Sequence, residues 1–155
     1  MEEHLLMMLS GQKQMELLRK TNQYTKNFGL CLSEEQMQEL MVTHMECLKE
    51  QQRIEFGAGI MDKIIFAFCD SDYIYQDNYV ETIQRLQQIF YLYKNESMDE
   101  MTDDELINLM RNVFDTECQG SLDYLEQTSL EKFAREIRAN TRKYIGRYPR
   151  NDEQI

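Results

Sequence analysis

Proline occurs once in the 155 residues, glycine six times and tryptophan not at all. Beta architectures need frequent turn punctuation, and a chain this poor in Pro and Gly does not supply it. No stretch approaches the ~18 consecutive apolar residues of a membrane-spanning helix. The opening M-E-E-H-L-L-M-M-L-S is acidic where a secretory signal would be basic, and its apolar run is short. The four cysteines (Cys31, Cys47, Cys69, Cys118) include no C-x-x-C pair, so free thiols in a reducing cytoplasm are expected. Basic charge is scarce as well: 17 Lys and Arg stand against 28 Asp and Glu, a net charge of -11. That balance repels phosphate backbones and disfavours nucleic acid as a partner. Several chemical signatures are missing. There is no G-x-S-x-G, no Walker glycine run, and no Glu-x-x-His pair of the kind that builds di-iron bundles.

What is present favours helices. Hydrophobic residues make up 42% and charged residues 29%, with Met, Leu, Glu and Gln prominent, as in a folded globular chain. A chain of this length buries roughly two-thirds of its unfolded surface. The expected architecture is a single all-α domain over residues 1–146, a bundle of six or seven helices, followed by a frayed tail at 147–155. Ser10-Gly11 is read as an interruption of the first helical stretch, which Phe28-Gly29 closes with a C-terminal glycine. Ser33-Glu-Glu-Gln36 and Thr102-Asp-Asp-Glu105 are capping boxes and predict helices starting at both. Asn78, with Glu81 three residues on, predicts another, whose seam is Tyr79, Ile83, Leu86, Phe90 and Tyr93. Residues 56–69 are apolar nearly all round, with only Asp62 and Lys63 interrupting. A helix without a polar face predicts the central, buried element of the bundle. Leu130, Phe133, Ala134, Ile137, Tyr144 and Ile145 mark a final helix.

The segment with the clearest chemical spacing is 115–126, D-T-E-C-Q-G-S-L-D-Y-L-E. Asp115, Glu117, Gln119, Asp123 and Glu126 fall at positions 1, 3, 5, 9 and 12 of a twelve-residue loop, with Gly120 at position 6. That is the ligand ladder of an EF-hand calcium loop. Glu117 and Gln119 are each a methylene longer than the usual ligands, and Met110, Val113, Phe114 and Cys118 keep helical period straight through the ladder. The plainer reading runs a helix to Cys118, turns it at Gly120 and caps the next helix with Ser121. A second acidic run at 70–81 has Ile74 and Tyr75 where a ligand and a glycine belong, and fails as a calcium loop. Asp70 and Asp72 nevertheless sit at the C-terminal end of a helix, against its dipole. With Asp77 and the tyrosines Tyr73, Tyr75 and Tyr79 they form a candidate acidic site for an enzyme.

Other constellations are weaker. His44 and Cys47 share a helix face and could be half a zinc site, but no further pair has matching spacing, so a core histidine is preferred. Met37, Met41 and Met45 form a stripe that suits either a core or an adaptable groove. Residues 94–131 hold eleven acids and two bases, whereas 132–150 hold seven bases and one acid. There Arg135, Arg138 and Arg142 project from one side of the last predicted helix and are candidates for an acidic protein partner.

At E-F-G-A-G-I-M-D-K-I-I-F-A-F-C-D-S (55–71), Q-D-N-Y (76–79) and G-S-L-D-Y-L-E-Q-T-S-L-E-K-F-A (120–134), the chain resembles a family of short bacterial proteins. That family, found mainly in clostridia and their relatives, is classed only as a domain of unknown function. The resemblance covers roughly residues 17–138. It implies a bacterial cytoplasmic protein and lends no activity, cofactor or site. The leading expectation is therefore a non-enzymatic interaction or adaptor domain with an unidentified protein partner, no membrane association and no cofactor. The alternatives are a calcium-binding module at 115–126 and an enzyme using the acids and tyrosines of 70–79.

Overall fold

The computed structural model describes residues 2–53, 60–128 and 132. Six α-helices follow one another: α1 (Glu2–Thr25), α2 (Glu34–Glu50), α3 (Met61–Phe68), α4 (Tyr79–Glu96), α5 (Asp103–Asp115) and α6 (Leu122–Gln127). Short 3₁₀ turns at Lys26–Phe28 and Gln76–Asn78 precede α2 and α4, and no strand occurs among the described residues. The predicted final helix, with Arg135, Arg138 and Arg142, and the 147–155 tail lie outside the described residues.

Local chemistry explains several helix ends. At Ser33 the hydroxyl accepts from the Gln36 amide at 3.1 Å, while the Gln36 side chain accepts from the Ser33 amide at 2.9 Å. Thr102 and Glu105 repeat the arrangement at the same two distances at the start of α5. Each box satisfies two amides that the helix itself leaves unpaired. Gly29, at φ 78°, ends the first stretch in the left-handed conformation, and the Leu30 amide returns to the Thr25 carbonyl at 3.1 Å.

Two predicted boundaries move. Helix α1 runs through Ser10-Gly11 without a break. A glycine inside a helix costs about 1 kcal/mol, which packing can outweigh. Here α1 lies against α2 and α3, and a side chain at Gly11 would sit 3.4 Å from the end of Met41. Asn78 does precede α4, but its side chain turns backwards. It accepts from the Tyr75 amide at 2.8 Å and donates to the Tyr73 carbonyl at 3.2 Å, shaping the preceding turn instead of boxing with Glu81.

The buried residues form one continuous core. Helix α4 contributes the predicted seam (Tyr79, Ile83, Leu86, Phe90, Tyr93), all buried, and touches α2, α3, α5 and α6. Helix α3 packs on α1, α4 and α5 through Met61, Ile64, Ile65 and Phe68. It is not enclosed on every side: Lys63 and Phe66 reach solvent, so α3 has an outer edge that its apolar composition concealed. Residues 56–59 of the predicted central helix lie outside the described residues. Between α2 and α4 runs a polar seam, in which Gln84 donates to the Thr43 hydroxyl at 3.1 Å and Gln87 to the Leu40 carbonyl at 3.4 Å. His44 is buried there beside Gln87 and against the Tyr91 ring; burial lowers its pKa, and the Gln87 hydrogen bond only partly opposes this.

Candidate interaction surface

The turn from Cys69 to Asn78 lies at the edge of the core, and one arginine organises it. Arg111, on α5, directs Nη1 to both the Ala67 carbonyl and the Asp70 carboxylate, the latter at 2.6 Å, and Nε to Asp115 at 2.6 Å. The guanidinium therefore caps the C-terminus of α3, where a cation is favoured, and neutralises the acid that follows it. This resolves the apparent dipole conflict at Asp70. Burial opposes the Arg111 charge, but the hydrogen bonds to Asp70 and Asp115 outweigh it and raise its pKa. The other Asp115 oxygen accepts from the Ser71 hydroxyl at 2.8 Å, and Ser71 in turn accepts from the Tyr73 amide at 3.2 Å.

The 115–126 segment is thereby divided. Asp115 faces Arg111 and Ser71, whereas Asp123 and Glu126 pair with Arg85 at 2.9 and 2.6 Å. Glu117 and Gln119 are exposed. Three of the five predicted calcium ligands are thus held by two different arginines. Among the described residues no group of three or more His, Cys, Asp and Glu is placed to hold a metal. The backbone also departs from the predicted helix through Cys118. Helix α5 stops at Asp115, and Thr116 leaves helical geometry at φ -105° and ψ -82°. The Cys118 amide then reaches back five residues to the Val113 carbonyl at 2.8 Å, which keeps Cys118 buried without continuing the helix. Gly120 turns the chain as expected, at φ 82°, and Ser121 caps α6 by accepting from the Tyr124 amide at 3.1 Å. Gly120 is required twice over, because a Cβ there would lie 2.5 Å from the Tyr73 ring.

Around this junction the surface carries exposed aromatic rings. Tyr24 is 44% exposed, Phe28 41%, Phe66 48% and Tyr75 60%. Tyr24 contacts Phe28 at a centroid distance of 5.5 Å and Phe66 at 5.1 Å. Phe28 and Tyr75 line one open cavity of about 290 Å³ together with Asp70 and Asp72. The patch is contributed by the end of α1, the turn after it, the outer edge of α3 and the 70–79 turn. Isolated exposed apolar residues need no explanation; rings gathered in mutual contact make this patch the candidate surface. Sequence reading missed this patch, yet one signal was available. Phe66 lies four residues after Asp62 and three after Lys63, on the one polar edge of an otherwise apolar helix.

The remaining candidates separate. Asp70, Asp72 and Asp77 are all exposed, and only the first two line the cavity. Tyr79 is fully buried, its phenol pushed up by burial, while Tyr75 projects into solvent. The acids and tyrosines of 70–79 are thus not gathered into one enclosed site. His44 and Cys47 are both buried. Burial pushes the Cys47 and Cys118 thiols up to about 11 and raises Cys69 as well, so these three stay protonated at neutral pH. The methionine stripe divides: Met37 is core, Met41 packs against it, and Met45 is exposed.

No described helix is long and apolar enough to cross a membrane. No curated protein and no solved structure matches the chain. A family of unknown function, DUF6323, matches residues 17–143, close to the 17–138 span of the resemblance read from the sequence. The match covers most of the chain, and the protein belongs to that family.

Proposed function

We propose that the protein is a non-enzymatic interaction domain whose protein partner docks on the patch formed by Tyr24, Phe28, Phe66 and Tyr75. The observation that carries this reading is the mutual contact of Tyr24, Phe28 and Phe66 on a surface that leaves each of them more than two-fifths exposed. Large aromatic side chains of this kind supply most of the energy in protein interfaces, and keeping them in water is unfavourable unless something covers them. The splayed acids of 70–79 and the protonated buried thiols favour recognition over catalysis. Net charge also bears on the partner. At -11 the chain repels nucleic acid and repels a second copy of itself, which favours a neutral or cationic protein segment.

The test is a selection of peptides from a random display library on the full-length chain, with Phe66→Ala as the counter-target. Enrichment of peptides that bind the native chain and not the variant supports the reading. No enrichment, or binders indifferent to Phe66→Ala, contradicts it.

A further inference from the structure

The patch also holds a receptor for one cationic side chain, an inference that rests on the docking reading above. The cavity of about 290 Å³ is lined by Phe28 and Tyr75, by buried Cys69, Ser71 and Ile74, and by Asp70 and Asp72. Its polar groups are not equally committed. Asp70 is held by Arg111, and the Ser71 hydroxyl by Asp115. Asp72 makes no hydrogen bond or ion pair among the described residues and is exposed. Lys26, in the same turn as Phe28, does not line the cavity.

Two aromatic rings beside an uncommitted carboxylate define a particular chemistry. The ring faces are electron-rich and attract a cation, and the carboxylate accepts from it. Arginine suits such a site better than lysine. Its planar guanidinium stacks on rings, is weakly hydrated and can pair with a carboxylate through two parallel hydrogen bonds. We infer that the cavity takes an arginine side chain of the partner segment, its guanidinium between Phe28 and Tyr75 and against Asp72, with apolar flanking residues covering Tyr24 and Phe66. The net charge of -11 would speed the approach of such a segment.

The display selection supplies the probes. Peptides lost with Phe66→Ala are expected to share an arginine with apolar neighbours. The strongest one is resynthesised with citrulline, a neutral isostere, in place of that arginine. On the full chain, citrulline should weaken binding by about tenfold or more, as loss of a charged hydrogen bond does. Asp72→Asn should weaken the arginine peptide by a similar factor and leave the citrulline peptide nearly unchanged. Phe66-dependent peptides that lack a common basic residue and ignore Asp72→Asn overturn this inference and leave the docking reading intact. If no Phe66-dependent peptide is found, both fall. Free arginine amide binding as tightly as the peptide would assign the cavity to a small cation and also overturn the inference. So would a dimer of the chain, seen in sedimentation and abolished by Asp72→Asn.

Discussion

Two sets of aromatic residues in this protein have the same chemistry and opposite fates. Tyr79, Phe90, Tyr91 and Tyr93 all lie on α4 and are no more than 1% exposed. Tyr24, Phe28, Phe66 and Tyr75 come from four different segments and lie at the surface, where Phe28 and Tyr75 line one cavity. In the first set Tyr93 has partners for its polar tip. The Tyr93 hydroxyl donates to the Leu125 and Thr128 carbonyls at the end of α6, and the Phe90 and Tyr91 rings pack edge-to-face at 5.0 Å. In the second set Tyr24 touches Phe28 and Phe66, and all four rings are left partly in water. The buried set serves stability and the exposed set is the one we propose for recognition, so substitutions should separate the two.

The largest effect is expected in the buried set. Phe90→Ala should destabilise the fold by about 3–5 kcal/mol, lowering Tm by roughly 10 °C or more in thermal denaturation. Gly120→Ala strikes the boundary between the sets, where the chain passes under the Tyr73 ring. A left-handed backbone and the close approach together should cost about 2–3 kcal/mol by urea titration. Arg111→Met leaves Asp70, Asp115 and the Ala67 carbonyl without their shared partner and should cost about 1.5–3 kcal/mol. Arg85→Met removes more exposed pairs and should cost roughly 0–1 kcal/mol. Equal losses from the two arginines would break the assignment of Arg111 as the organiser of the turn that carries Tyr75.

A smaller, pH-dependent effect belongs to the buried set. His44 packs against Tyr91, and burial lowers its folded pKa below the unfolded value near 6.5. Its contribution is fully present above that unfolded value and declines as pH falls below it, because the unfolded chain then binds the proton more readily. The slope is at most about 1.4 kcal/mol per pH unit for one group. Urea titrations from pH 7 to pH 5 should show the decline in the native chain and a flatter profile in His44→Gln.

Much of the buried architecture was legible in the sequence because its causes are local. The boxes at Ser33 and Thr102, the left-handed glycines at 29 and 120, and the α4 seam each depend on residues a few positions apart. The features that escaped reading depend on distant partners. Arg111 meets Asp70 across 41 residues, and nothing in the spacing around either residue announces the other. Asp115, held by Arg111 and Ser71, is the last residue of α5, short of Cys118. The continuity of α1 through Gly11 is decided by packing on α2 and α3. The exposed patch was hidden for the same reason, since four segments assemble it. Only Phe66, misplaced on the polar edge of α3, left a local trace.

The most direct measurement places both readouts on one substitution, Phe66→Ala in the full-length chain. Thermal denaturation should find Tm within about 2 °C of the native value, because the ring is half exposed. Affinity for a peptide selected on the native chain should fall by about tenfold or more. A drop in Tm comparable to that of Phe90→Ala would contradict the separation of the two aromatic sets. So would an unchanged Tm with unchanged affinity.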